Sequence, residues 1–227
     1  MEGMGFLPEE ELLKIRLDCL FTYENDRMVH VNEPWGCTAK APLLLAGRTV
    51  GGIIEYRFGQ RAGEDFIEKA KNLLERNIWD ISLYIKETGV RDCSRDICFY
   101  YPPASVSDEG DSCRLLTEKD ADILLACFGE GAEEIAAAQP YAGYFCGGRI
   151  VSICRSVRKG RGHEAGIETL SEYRRRGCAM SALNVWTSAV LRQGFIPLYS
   201  TEQENTASIK LAQKAGYVRY AESFEIM

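Results

Sequence analysis

The chain has no long apolar run. None of its stretches approaches the ~20 apolar residues that a helix needs to cross a bilayer, so a transmembrane reading is excluded from the outset. The stretch from Met1 to Glu11 lacks a basic segment followed by an apolar one, so the expected compartment is the cytoplasm. Histidine is scarce as well. His30 and His163 are the only two, and neither has a cysteine at ligand spacing. The nine cysteines are scattered, odd in number and contain no CxxC, so free or packed thiols are expected and no metal is. Internal repeats and low-complexity tracts are also missing.

An excess of positive charge is absent too, since the formal net charge is −6. That figure hides an asymmetry: residues 149–227 carry twelve Lys or Arg against seven Asp or Glu, and the acidic excess lies before them. Wholesale nucleic-acid binding needs a broad basic face and is not expected. A compact anion held by the C-terminal half fits better. With 46% apolar and 26% charged residues, the chain has an ordinary globular composition, enough for one large core or two small ones.

The clearest break follows Pro102-Pro103, where residues 105–112 are polar and acidic without periodicity. The expected organisation is therefore an N-terminal α/β unit over 1–104, a linker over 105–112 and a second domain over 113–227. In the first unit, Glu9 to Leu20 reads as an amphipathic helix and Asp65 to Asn77 as another; Leu43 to Phe58 reads as two strands around glycine turns. In the second, Cys113 to Leu116 is a strand, and Thr117 caps a helix that runs to Phe128 with Asp120 at its third position. Glu130 to Ala138 is a short helix. Tyr141 to Cys146 and Ile150 to Val157 form a hairpin at Gly147-Gly148. A strand over Glu164 to Leu170, a helix over Gly177 to Gln193 and a strand over Ile196 to Ser200 come next. A helix over Asn205 to Ala215 and a strand over Tyr217 to Ile226 end the series. Hairpins mixed with a helical crossover make the fold class α+β.

Two segments carry the chemistry. Ile167-Glu168-Thr169 runs into Arg174-Arg175-Arg176-Gly177, and Cys178-Ala179-Met180 then opens a helix. Unpaired amides at a helix start, a glycine and flanking arginines suit a multiply charged anion. The second segment, Asn205 to Tyr217, is an Asn-capped amphipathic helix closed by Gly216. Alone, a run of arginines is usually a solvated face, and Asn205 serves equally as a cap or a ligand.

In order, these motifs resemble the GCN5-related N-acetyltransferase (GNAT) superfamily over about Cys113 to Met227. Its cofactor signature is Gln or Arg, two residues, Gly, one residue, then Gly or Ala; Arg174, Gly177 and Ala179 fit it. Its second signature is an Asn, small and apolar residues, a Lys or Arg, then Gly and an aromatic. Asn205, Ser208, Leu211, Lys214, Gly216 and Tyr217 fit that. The run from Ile196 to Thr201, with Val31-Asn32-Glu33-Pro34 in the N-terminal part, is similar to a little-characterised bacterial subgroup. The resemblance implies a mixed, splayed central sheet flanked by helices. It also implies acetyl-CoA as acyl donor, with pyrophosphate at residues 174–180 and the pantetheine arm along Ile167, Glu168 and Thr169. Asn205 and Ser208 would stand beside that arm. An amine would attack the thioester directly, through a tetrahedral intermediate.

Catalytic roles are less determined. The family often has a tyrosine seven residues after the Asn as general acid; Ala212 stands there instead. Tyr199 is the substitute candidate, with a core position as its other reading. Glu168, then Glu164, are the candidate bases, each equally readable as a surface carboxylate beside arginines. His163 is a turn residue, and Cys178 is either packed or a low-pKa thiol at a helix start. Residues 1–104 read as a degenerate copy of the transferase fold, a wall of the acceptor pocket or a separate module. Arg48, Arg57 and Trp35 are candidates for substrate contact there, and the acidity favours a cationic acceptor. The leading expectation is an N-acetyltransferase acting on a primary amine of a small molecule. A non-catalytic acyl-CoA sensor and a transferase for protein N-termini or lysines are the alternatives. No nucleic-acid or membrane partner is expected, and a homodimer is compatible with the chain.

Overall fold

The computed structural model describes residues 7–36, 38–103 and 112–227. Most of the segment expected as a linker, 105–111, lies outside the described residues. The chain opens with helix α1 (Glu9–Leu20), whose acidic first turn of Glu9, Glu10 and Glu11 complements the helix dipole. Leu12, Leu13, Ile15, Leu17, Cys19 and Leu20 are buried along it, and so is one charged residue, Arg16. A hairpin follows, β1 (Phe21–Glu24) and β2 (Arg27–Val31), turned by Asn25 and Asp26 in the left-handed region.

Next come β3 (Leu44–Thr49), β4 (Ile54–Phe58), α2 (Glu64–Glu75), α3 (Ile81–Thr88) and β5 (Cys93–Tyr100). The remaining elements are β6 (Cys113–Leu115), α4 (Ala121–Phe128), α5 (Ala132–Ala137), β7 (Tyr141–Cys146) and β8 (Arg149–Lys159), then β9 (Gly162–Thr169), α6 (Cys178–Arg192), β10 (Ile196–Glu202), α7 (Thr206–Lys214) and β11 (Val218–Ile226). Thr117 and Asp120 form the expected capping box, closed over a short 3-10 turn that leads into α4.

Nine strands form one mixed sheet in the order β4-β3-β11-β5-β10-β9-β8-β7-β6. All neighbours are antiparallel except β9 and β10, which run parallel. This order revises the expected division at residues 105–112. Strand β5, from the N-terminal part, pairs with β10 on one edge and β11 on the other. The two parts therefore share a sheet, and β10 and β11 meet only through β5. Sequence reading missed β5 because Arg95 and Asp96 interrupt its apolar pattern.

Side-chain alternation sorts the helices onto two faces. On one face, Leu45, Cys98, Tyr100, Leu198 and Tyr220 pack with α1, and Tyr141, Ile150 and Ile153 pack with α4 and α5. On the other, Leu44, Ala46 and Phe224 pack with α2 and α3, and Ala142, Cys154 and Tyr199 pack with α6 and Trp186. Helix α1 sits close to the sheet because Gly47 has no side chain: a Cβ there would lie 2.5 Å from Leu13 Cδ1.

Candidate active site

Strands β9 and β10 pair over only three positions, Gly162 to Glu164 against Ile196 to Leu198. Beyond that point β9 continues beside β8, with Glu168 opposite Ile153 and Thr169 opposite Ser152. Meanwhile β10 continues beside β5, with Tyr199 opposite Phe99 and Glu202 opposite Asp96. The two strands thus separate, and the facing backbone edges from 165 and 199 onward lack a strand partner. Such edges offer hydrogen bonds to an extended, amide-bearing ligand.

A groove of about 1100 Å³ occupies this separation. Ile167, Glu168 and Thr169 of β9 line one wall; Tyr199 of β10 with Asn205 and Ser208 at the start of α7 line the other. Its mouth is closed by Arg174, Arg175, Gly177, Cys178, Ala179 and Met180. There Gly177 caps α6 with φ 87° and Arg175 has φ 61°, so the turn into the helix uses the left-handed region twice. A Cβ on Gly177 would meet nothing within 4 Å, so its backbone angle, not crowding by protein atoms, is what calls for glycine. The first intrahelical bond of α6 is from Ser181 N–H to Gly177 O, which leaves the amides of residues 178–180 without a backbone acceptor among the described residues. Exposed amides, the helix dipole and two arginines make this end an anion cradle.

Every residue expected at the cofactor site lines the groove except Arg176, whose guanidinium lies over the Tyr173 ring at 5.3 Å. Arg176 is thus placed over the Tyr173 ring and not in the groove lining. Cys127 and Phe128 at the end of α4, and Lys210 and Lys214 on α7, were missed and also line it. The lysines were legible in principle, since four-residue spacing puts them on one helix face.

Comparison with known proteins agrees with this geometry. Residues 143–223 match the family model described as GNAT acetyltransferase, a stretch that spans both signatures, the splay and α7. Over these residues the chain is similar to the GNAT acetyltransferase family. Solved structures share the fold at low identity. A GCN5-related N-acetyltransferase from Kribbella flavida matches with 14% identity over 100% of this chain and 96% of that one, at a TM-score of 0.54. A conserved protein of unknown function from Staphylococcus epidermidis matches with 12% identity over 95% and 98%, at 0.52. A GNAT-family protein from Novosphingobium aromaticivorans matches with 19% identity over 60% of this chain and 65% of that one, at 0.51. A search among curated proteins gives no match.

Within this GNAT fold, the α7 wall is held by short contacts. Asn205 Oδ1 accepts from Ser208 N–H at 3.1 Å, so Asn205 is an N-cap as well as a groove residue. Tyr199 packs its ring among Phe99 and Tyr217, and its hydroxyl bonds Ser208 Oγ at 2.6 Å. Burial pushes the Tyr199 phenol up to about 12, so it stays protonated and can donate. Ala212 is fully buried in the core, and no acid stands at that position.

The two carboxylates of β9 point to the opposite face, toward α1, and differ in environment. Glu168 is half exposed and bonds Arg155 Nη2 at 2.7 Å. The same nitrogen bonds Glu130 at 2.8 Å, and Glu130 accepts from the Tyr141 hydroxyl at 2.6 Å. Trp35, 45% exposed, faces the Arg155 guanidinium at 6.0 Å. Glu33 lies 3.8 Å from Arg158, and Asn32 Nδ2 donates to Cys19 O and Lys159 O, which pins this N-terminal loop over β8. Glu164 lies deeper, outside the groove lining and only 4% exposed, at the last paired position before the strands part. Burial raises its pKa, while Arg16 and then Ser200 draw it back down.

Several other candidates are relocated. His163 is buried against Phe195 with Nδ1 3.0 Å from Ser156 Oγ; burial lowers its pKa to about 4, so it is a neutral core residue. The Cys178 thiol is pushed up by burial, against the low-pKa reading. Arg48 pairs with Glu222 at 2.6 Å and stacks on Trp79, and Arg57 pairs with Asp18 at 3.2 Å; neither lines the groove. Among the described residues no cluster of His, Cys, Asp and Glu is suited to a metal.

Proposed function

We propose that this protein is an N-acetyltransferase that moves the acetyl group of acetyl-CoA to a primary amine of a small molecule. The observation that carries the reading is the separation of β9 from β10 after three paired residues, with the bare amides of α6 at its mouth. The groove fits acetyl-CoA in its parts. Residues 178–180, Arg174 and Arg175 would hold pyrophosphate, Lys210 and Lys214 would add positive charge, and the free edge of β9 would bond the pantetheine amides. The donor supplies an activated acyl carbon.

The chain's own groups supply orientation and proton handling. A backbone N–H of β9 beyond the splay would stabilise negative charge on the carbonyl oxygen. Glu164 is the better base of the two carboxylates, reversing the order expected from sequence. It stands at the last paired position before the strands part, and burial raises its pKa. From behind the groove lining it would take a proton from an ammonium group through water, whereas Glu168 is held in a pair with Arg155. Tyr199, kept protonated by burial, would donate to the departing sulfur with Ser208 behind it. The face toward α1 receives the amine: Glu33, Glu130 and Glu168 supply negative charge there, and Trp35 an exposed aromatic face for a cation.

Calorimetry with acetyl-CoA, followed by CoA release across a panel of primary amines, tests the proposal. Binding together with turnover supports it. Binding with no turnover for any amine would favour the sensor reading, and no binding would remove the site.

A further inference from the structure

Helix α1 carries a fully buried arginine into the sheet, at the point where β9 and β10 part. Arg16 Nη1 donates to Ser223 Oγ at 3.2 Å and Nη2 to Asp96 Oδ2 at 3.4 Å. Its Nε faces Glu164 Oε2 at 4.0 Å, close enough for charge pairing and too far for a hydrogen bond. Arg16 Nε, both Glu164 carboxylate oxygens and the Tyr220 hydroxyl have no hydrogen-bond partner among the described residues. Unsatisfied buried charged atoms are costly and rare, and such groups are commonly kept for a purpose other than stability. Apart from the Ser200 hydroxyl, which draws its pKa down, the carboxylate is held by charge, and its lone pairs stay open to a proton.

We infer that Arg16 is a positioning residue for Glu164, so that the N-terminal helix forms part of the catalytic centre and does not merely wall the acceptor pocket. The inference rests on Glu164 being the base in the reading above. The charged and titratable groups around Glu164 come from five elements. Arg16 and Cys19 are on α1, Asp96 and Cys98 on β5, and Arg158 on β8. Ser200 is on β10 and Tyr220 on β11, where Glu225 also faces Arg16. Burial raises the Glu164 carboxyl and Asp96 adds to that, whereas Arg16, Ser200 and Arg158 oppose it. Because Arg16 is shared between Asp96 and Glu164, changes at Arg16 and at Asp96 should move Glu164 in opposite directions.

The test is carbon-13 NMR titration of the Glu164 carboxyl in the full chain, assigned with Glu164→Gln. Arg16→Gln should move the Glu164 titration upward by about one pH unit or more, the size expected for losing an opposite charge nearby. Asp96→Asn should move it downward, and Arg16→Lys should restore most of the wild-type value. Should Arg16→Gln fail to fold, Asp96→Asn carries the test. An unchanged Glu164 titration in folded Arg16→Gln, or in Asp96→Asn, would overturn the inference, because a merely structural Arg16 would alter stability alone. The base reading fails separately. Glu164→Gln with wild-type kcat/KM on an amine that turns over would sink it. If no amine in the panel turns over, the transferase reading falls and the titration still decides whether Arg16 sets the state of Glu164.

Discussion

The two faces of the splay are built in different ways. The groove on the α6 and α7 side is made from contiguous segments, 167–180 and 199–214, and its anion end relies on backbone amides. The side toward α1 is made from single side chains drawn from six separate elements or loops: Arg16, Trp35, Asp96, Glu130, Arg155 and Glu164. A backbone site constrains sequence through glycine, caps and spacing, which repeat across a family. A side-chain site is free to change residue by residue. The contrast predicts that the groove recurs in proteins of this fold and that the face toward α1 is particular to this chain.

The strongest way to break the comparison is to remove the N-terminal part altogether. A fragment of residues 113–227 loses β5 and with it both ladders that join β10 to β11. The expected result is a chain with no cooperative thermal transition by circular dichroism. A fragment that melts cooperatively would show the two parts to be separable.

Gly177→Val attacks the backbone site. A β-branched residue at φ 87° is strained. With loss of the amide cradle the acetyl-CoA affinity should fall by about 100-fold, equivalent to roughly 2.7 kcal/mol. Calorimetry reads this directly, and the affinity for an amine acceptor should change little.

On the other face, Trp35→Ala should raise the acceptor KM by about ten-fold, the scale of one lost cation–π contact, and leave the acetyl-CoA affinity alone. If acetyl-CoA affinity fell equally, the two faces would not be independent. The smallest effect belongs to Tyr199→Phe, which removes the hydroxyl bonded to Ser208. A decrease in kcat of roughly ten-fold or less is expected for one lost hydrogen bond in the transition state, without a change in KM for either substrate.

The same contrast explains what could be read from sequence. The elements from Cys113 to Met227 were legible because caps, glycines and hairpin turns mark their ends, and each lies within a few residues of its expected place. That residues 167–180, 205 and 208 would meet at one groove was legible for the same reason, except that spacing could not tell that Arg176 lies over Tyr173 while its neighbours line the groove. In the N-terminal part α1, β3, β4 and α2 showed their periodicity. The hairpin of β1 and β2, α3 and β5 were missed. The shared sheet was not legible, because insertion of β5 between β10 and β11 is a long-range pairing that leaves no local mark. Nor was Arg16, because an amphipathic pattern over Glu9 to Leu20 does not mark which charged residue is buried beside Glu164.

Hydrogen exchange with and without acetyl-CoA tests the central claim most directly, because that claim concerns backbone groups on two separated strands. The account predicts new protection at residues 165–169 of β9 and 178–180 of α6, with none in β1 and β2. Unchanged exchange at those amides under saturating acetyl-CoA would contradict it.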